Sequence, residues 1–386
     1  MVGERLVPHL RGLGTTIFAE MSARAEETDA VNLGQGFPDV DGPDDIKRLV
    51  ADAIWHGPNQ YAPGIGFREL REAVAAHQKR FYGLEVDPDS EVLITAGATE
   101  AVTAALLAFV DAGDDVIALE PYYDSYAAAI AMARGRRVPV TLHAPDFRLD
   151  IAALQAAVTP RTKVILLNSP HNPTGTVLTE EELRAVAEVA VAHDLLVITD
   201  EVYEHLVYEG RHIPIATFPG MWERTVTISS AGKTFAFTGW KIGWVTGPEP
   251  LVSAVRTVKQ FLTYTNAAPM QRGIAAGLGM PDAYFQQLAA DLARKRDFLC
   301  TGLAELGFTV YPPAGTYFVT VDVRPLGYLD GLAFCRDLPY RVGVAAIPHV
   351  VFYDHADIGR PLVRFAFCKR EDVLAEALRR LARLRG

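Results

Sequence analysis

Lys233 lies in the stretch SSAGKTFAFTGWKIGW (229–244), among small and aromatic residues and with no second charge before Lys241. The chain has only eight lysines, so two in one largely apolar segment need a reason. Apolar neighbours desolvate an ammonium group and favour its neutral form, which can act as a nucleophile or form a Schiff base. A surface turn with both lysines in water is the plainer alternative, and this stretch alone does not choose. Other polar groups gather behind apolar runs. Gly97-Ala98-Thr99 opens at the end of VLITAG, and Tyr122 and Tyr123 follow VIALEP. Asn168 and Asn172 sit in NSPHNPTG, Asp200 and Tyr203 in VITDEVY, and Ser230 closes TVTISS.

The runs themselves say how these groups meet. Residues 91–97, 115–121, 137–142, 163–169, 195–203 and 225–230 read as buried strands, with helices over 99–111, 125–134, 150–158 and 179–193. Continuous apolar strands alternating with helices predict an α/β fold, a mostly parallel sheet covered on both faces. Ligands of such sheets bind beyond the carboxyl ends of the strands, so five loops share one edge. After Pro250 helices near 251–262, 282–306, 329–338 and 371–383 alternate with short strands, which reads as a smaller α+β domain. The expected division is a large domain over 41–280 and a small one made from 1–40 and 281–386. The amphipathic segment 16–26 should pack on that later part.

Each polar group also has a structural reading. Gly97-Ala98-Thr99 can be a tight turn and helix cap, although free amides at a helix start also bind phosphate. Turn building between Pro170 and Pro173 explains one asparagine more easily than two. Tyr123 alone would be a core aromatic. Asp200 ends an apolar strand, where an unpaired carboxylate is costly, so it should have a cationic partner. GQGFPD and GIGFRE each lack the third glycine of GxGxxG and do not lead from a strand into a helix, which argues against a dinucleotide site. A lysine, an aspartate, an asparagine, a tyrosine and a phosphate seat suggest pyridoxal 5'-phosphate instead: the lysine forms its Schiff base and an aspartate pairs with its pyridinium nitrogen.

Composition narrows the classes further. The 386 residues are 49% apolar and 22% charged, as in globular proteins, and the net charge of −10 argues against nucleic acid. No apolar run approaches the roughly 20 residues that span a bilayer, and MVGERLVPHL has no signal-peptide pattern, so a cytoplasmic protein is expected. Cys300, Cys335 and Cys368 lack CxxC spacing and read as reduced thiols in or near the core. The ten histidines never fall at HxxxH spacing, and no metal site is expected.

NLGQGFPD, NQYAPGIGFRELREAVA, ITAGATEAV, EPYYDSY, NSPHNPTG, ITDEVYEHLVY, SSAGKTFAFTGWKIGW and LVRFAFCK together carry a resemblance over nearly the whole chain. The chain resembles the class I/II aminotransferases of fold type I, with its nearest flavour in the kynurenine, glutamine and methionine aminotransferase branch. Actinobacterial N-succinyldiaminopimelate aminotransferases are related to that branch. The resemblance implies that Lys233 holds the cofactor and shuttles the α-proton, and that Asp200 keeps the pyridine nitrogen protonated. It implies hydrogen bonds from Tyr203 and Asn172 to the ring oxygen, stacking by Tyr123, and an outer supporting place for Asn168. The phosphate would rest on the Ala98 and Thr99 amides, Ser230 and Lys241. Many relatives have arginine where Lys241 stands; lysine keeps the charge but not the bidentate fork. Tyr61 matches a tyrosine that reaches the phosphate of a second subunit, which implies a homodimer with shared active sites.

For substrate, the resemblance makes Arg364 the clamp on the α-carboxylate, helped by a Gly36 amide, with Phe18 covering the side chain. On a strand, Arg364 points away from the face of Val363 and Phe365. Aspartate aminotransferases add a second arginine from the partner chain, and FLTYTNAAPM (261–270) has none. The expected donor is therefore a neutral, aromatic, sulfur-containing or otherwise bulky L-amino acid, and the acceptor a 2-oxo acid. N-succinyl-L,L-diaminopimelate with 2-oxoglutarate is an alternative, as is β-lyase cleavage of cysteine S-conjugates. In IPHVVFYDHAD (347–357), His349 and His355 are candidates for substrate contact, with exposure the commoner case for loop histidines.

Overall fold

The computed structural model describes residues 5–57 and 59–385. After a short first strand β1 (Val31–Asn32), the main sheet takes β2 (Val92–Thr95), β3 (Asp115–Glu120), β4 (Arg136–Thr141), β5 (Thr162–Asn168), β6 (Leu196–Asp200), β7 (Thr225–Ser230) and β8 (Gly243–Thr246). Their order is β2-β8-β7-β6-β5-β3-β4, and only β8 runs against its neighbours.

Both faces of this sheet are covered, as the unbroken apolar runs require. On β5, Val164 and Leu166 join one core with Ala101, Ala105 and Val255, while Ile165 and Leu167 join another with Leu183, Val186 and Ala190. Alternate side chains thus meet helices Gly97–Phe109 and Glu249–Lys259 on one side and Glu180–Ala192 on the other. Each such fully buried aliphatic side chain contributes about 1.5–3 kcal/mol. The sheet is therefore a stiff platform for whatever its strand ends carry.

Five further strands follow: β9 (Thr309–Tyr311), β10 (Phe318–Asp322), β11 (Val344–Ala345), β12 (Ile347–Pro348) and β13 (Leu362–Ala366). Four form an antiparallel sheet in the order β12-β13-β10-β9, and β1 pairs in parallel with β11. Ile17 and Met21 of helix Ile17–Glu27 sink into the core under this sheet, so the N-terminal segment does pack on the later part of the chain. The helix Asp282–Glu305 serves two cores: Phe285 lies with the β2–β8 side, and Leu292, Leu299 and Leu303 lie under the small sheet.

Two of the elements that were not legible in the sequence have a clear physical reason. β8 is four residues closed by Gly247, too short for its alternation to stand out. Helix Ala268–Leu278 carries Gly273 and Gly277, which weaken a helical pattern. Those glycines are there for contact: an added Cβ would come within 2.5 Å of Val50 at Gly273 and 2.8 Å of Ile46 at Gly277. The helix can therefore lie flat on helix Asp44–His56. The segment TDEVY is strand only to Asp200; Val202 and Tyr203 continue in turns.

Candidate active site

The register of the main sheet brings the sequence motifs to one edge. Asn168 ends β5 opposite Asp200 at the end of β6, and Ser230 ends β7 opposite Gly243. Because β8 is antiparallel, its beginning lies at that same edge, also opposite Thr95 of β2. Lys241 stands two residues before it, in a left-handed conformation (φ 55°).

This corner has the makings of an anion seat. Helix Gly97–Phe109 starts from Ala96, which offers no side-chain oxygen to cap its first amides. Uncapped amides at a helix start leave donors and a positive dipole end pointing outward. A Cβ on Gly97 (φ +78°) would lie 3.2 Å from Lys241 Nζ, and one on Gly243 would lie 2.7 Å from the Gly97 carbonyl carbon. The two glycines thus let the ammonium group, Ser230 and the helix start crowd together. A phosphate dianion suits this set of donors.

Asp200 is buried beside it. Its Oδ2 accepts a 2.7 Å hydrogen bond from the Tyr126 hydroxyl, and its Oδ1 accepts from the Val202 N–H at 3.3 Å. Burial pushes the carboxyl up to about 6, against the lowering effect of Tyr126 and the Val202 amide. Among the described residues no lysine or arginine lies within ion-pair distance of it, so the expected cationic partner does not come from the chain itself. A pyridinium nitrogen fits that need. Asn168 fixes the neighbourhood, donating from Nδ2 to the Asp200 carbonyl at 2.8 Å and accepting from the Asn172 N–H at 2.7 Å.

Lys233 sits deep in the same cavity, half-buried, with Nζ 3.5 Å from the Gly36 carbonyl oxygen. The ring centroids of Tyr203 and Tyr317 are 5.7 and 5.6 Å away. Burial pushes its amine down to about 8, and Cys368 and Asp200 only partly oppose this. Of the two readings of this lysine, the desolvated one holds. Tyr123 begins helix Asp124–Met132 and packs edge-on to Tyr126, and the buried Tyr203 is perpendicular to Tyr317 at 5.4 Å.

From the small sheet, Arg364 of β13 reaches across to this group, 1% exposed. Nη1 donates to Asn172 Oδ1 at 2.9 Å and Nη2 to the Gly34 carbonyl at 3.1 Å, while Nε has no partner. The guanidinium lies 3.9 Å over Phe318, with Phe18 and Phe352 at 5.2 and 5.4 Å. Burial pushes it down to about 10. It is not a surface arginine. Gly36 engages through its carbonyl, which accepts from the Tyr317 hydroxyl at 2.6 Å, and a Cβ there would strike the Phe318 ring at 2.5 Å.

Every site residue expected from the sequence lines one cavity of about 1080 Å³, with the exception of Tyr61. Tyr61 is 82% exposed and packs edge-on against Tyr264, outside this cavity. His349 and His355 do not line it either. Against the expectation of exposure, His349 is fully buried and bonded through Nε2 to the Thr320 hydroxyl at 3.0 Å, and burial holds its imidazole well below the usual range. His355 pairs with Glu120 at 2.7 Å. Tyr126, Arg137 and Arg336 also line the cavity and were not singled out in the sequence; nor was Tyr317, which lies behind its wall and reaches Gly36 and Lys233. Tyr126 had a signal: a buried aspartate needs a donor, and YDSY offers a tyrosine one turn from Tyr123.

The geometry is that of an enzyme working on amino acids through a carbonyl cofactor, and comparison with known proteins agrees. The profile of the family "Aminotransferase class I and II" matches residues 28–381, and the chain belongs to that family, whose members use pyridoxal phosphate. It is an aminotransferase of fold type I. It is 53% identical to a probable N-succinyldiaminopimelate aminotransferase (DapC) of Mycobacterium tuberculosis, over 97% of this chain and 98% of that protein. It is 41% identical to the methionine aminotransferase of Escherichia coli, over the full length of both. The solved N-succinyldiaminopimelate aminotransferase from Mycobacterium tuberculosis superposes with a TM-score of 0.96, covering 98% of this chain and 100% of that one at 54% identity.

Proposed function

We propose that the chain binds pyridoxal 5'-phosphate in this cavity and transfers the amino group of N-succinyl-L,L-diaminopimelate to 2-oxoglutarate. The observation that carries the cofactor reading is the meeting of an uncapped helix start, a carboxylate without a cationic partner and a desolvated lysine at one sheet edge. The donor reading rests on the 53% identity to the M. tuberculosis relative. The cavity lining adds to it: Arg336 and Arg137, now paired with Glu20 and Asp354, could exchange those partners for the distal carboxylates of a long donor.

The Ala98 and Thr99 amides, Ser230 and Lys241 would hold the phosphate, Tyr123 would stack on the ring, and Tyr203 and Asn172 would hydrogen-bond to its oxygen. The cofactor would supply an electron sink for the deprotonated α-carbon. Asp200, oriented by Tyr126, would keep a proton on the ring nitrogen. Lys233 would attach the cofactor and, freed by the incoming amine, would take the α-proton at Nζ and return it. An amine held near 8 exchanges protons readily at neutral pH. Arg364 turns its donors, the unpartnered Nε among them, to the α-carboxylate, which places the α-C–H near Lys233. Phe18, backed by the buried Phe352, would exclude water on the side-chain side.

Tyr61 completes the phosphate site of a second copy. Trp55, Tyr61, Phe261 and Tyr264 are all at least half exposed, an aromatic face suited to cover by another subunit. The two domains, 41–280 and 1–40 with 281–386, then flank the cavity. The three cysteines are free and buried, in keeping with a reducing cytoplasm; among the described residues no helix is long and apolar enough to cross a membrane. A second reading, a methionine-type or aromatic donor, is favoured by the Phe18 and Phe318 rings that line the cavity and by the E. coli relative.

The test is spectroscopic. Purified protein reconstituted with pyridoxal phosphate should show a visible band that each true donor bleaches without acceptor. N-succinyl-L,L-diaminopimelate should bleach it at far lower concentration than methionine, phenylalanine or aspartate. A preference for methionine installs the second reading. Release of pyruvate and ammonia from a cysteine S-conjugate identifies a lyase, and a protein that takes up no cofactor removes the account.

A further inference from the structure

On the other side of β7 from the cofactor cavity lies a second cluster of titratable groups. Neighbouring residues of a strand point to opposite faces. Ser230 faces the cavity, and Ser229 donates its hydroxyl proton to Glu204 Oε1. Glu204 and His205 sit in the turns just past Tyr203, and His77 comes from helix Arg68–Tyr82, 128 positions away from His205. The Nε2 atoms of His77 and His205 face each other at 2.7 Å. One ligand atom from each of His77, Glu204 and His205 can be chosen so that all three lie within 4.8 Å of one another.

We propose that His77, Glu204 and His205 bind one divalent transition-metal ion of the zinc class. Charge is the first argument. Two carboxylates are buried here: Glu201 is paired with His212 at 2.8 Å, which raises that imidazole's proton affinity. Glu204, 5% exposed, has only hydroxyl donors, Ser229 and Tyr82, the latter at 2.6 Å. Among the described residues no lysine or arginine lies within ion-pair distance of Glu204. Arg80, from the same helix as His77, is turned to Asp282 and lies over the rings of Phe81 and Phe285. A buried carboxylate is normally matched by a cation or a metal.

The second argument is the ligand set. Two imidazole nitrogens and a carboxylate oxygen are a zinc-type donor set. Phe81 and Phe285 wall it in, with the His205 ring 4.7 and 4.3 Å from theirs. Tetrahedral bonds of about 2.0–2.1 Å would hold the two nitrogens about 3.3 Å apart, so the rings would give up their mutual hydrogen bond, part by a fraction of an ångström and tilt until both lone pairs meet the ion. The ion would pin helix Arg68–Tyr82 to the turn that leaves Asp200 and Tyr203, a structural cross-link outside the reacting atoms.

The test uses tag-free, cofactor-loaded enzyme stripped with a chelator and titrated with cobalt(II). One ion per chain should bind, with visible ligand-field bands that zinc(II) abolishes, and zinc should raise the melting temperature by a few degrees. His77→Gln and His205→Gln should each weaken cobalt binding by about 10- to 100-fold or more. The cofactor's own visible band should be unchanged in both, showing that the fold and the active site stand. Failure of the wild type to take up cobalt or zinc overturns the proposal and leaves a shared proton between the imidazoles. Uptake that survives both substitutions overturns it as well.

Discussion

Replacing Asp200 with asparagine should stabilise the protein while disabling it, provided the cofactor is absent. The carboxyl is held at about 6 against an ordinary 3.8, so ionising it in the folded chain costs about 3 kcal/mol at 1.36 kcal/mol per pK unit. The sign follows from proton binding. A carboxyl raised on folding makes the folded state take up a proton between about 6 and 3.8, so the cost is fully present above 6 and disappears as pH falls below 4. Asparagine has the same shape, keeps an oxygen for the Tyr126 hydroxyl and carries no charge. Apo Asp200→Asn should therefore melt several degrees above the apo wild type at pH 8, with the gap closing towards pH 4. Adding pyridoxal phosphate should shrink or reverse the gap at pH 8, because the ring nitrogen then supplies the missing cation. Turnover of the variant should fall by about 100-fold or more, as for loss of a preorganised electrostatic partner. Fluorimetric melting of both proteins at the two pH values, with and without cofactor, reads all of this. Equal melting temperatures at pH 8 without cofactor, or a gap independent of pH, would refute the reasoning.

Four further outcomes follow from the same geometry. The rate at which apo-enzyme captures pyridoxal phosphate should climb with pH and level off above about 8, as the neutral Lys233 amine accumulates; a flat rate from pH 6 to 9 would contradict the lowered value. Gly243→Ala should weaken cofactor retention far more than it lowers the melting temperature of the apo-enzyme, since the new Cβ would press on Gly97 at 2.7 Å and spread the anion seat. Lys241→Ala should act alike, by loss of charge, and dialysis against cofactor-free buffer measures both. Arg364→Lys should raise KM for amino donors by about 10- to 100-fold with a smaller effect on kcat, because an ammonium group cannot reproduce the fork; an unchanged KM in steady-state assays would remove Arg364 from the substrate site.

The alternation of apolar runs and helices made the main sheet legible, because burial on both faces leaves an uninterrupted hydrophobic strand. The five loops behind those runs, with Lys233 and Asp200 in them, were legible for the same reason; Arg364 lies outside them and was singled out only by the resemblance. β8 was not, and it matters: an antiparallel strand delivers Lys241 from its beginning rather than its end, and no local pattern encodes a strand's direction. Tyr126 and Tyr317 escaped because a buried aromatic reads as core until its hydroxyl is seen to donate to Asp200 or to Gly36. His77 and His205 meet across 128 positions of chain, beyond the reach of any spacing rule.

The bond from Arg364 to Asn172 joins the small sheet to a loop of the large one. On the proposed reading, a bound amino acid would take over part of that fork, and its own carboxylate would become a stitch between the two halves of the molecule. Selection for α-amino acids would then be partly mechanical. A simple amine of equal length and polarity, however well its side chain is housed, would leave the seam open and the α-C–H out of reach of Lys233.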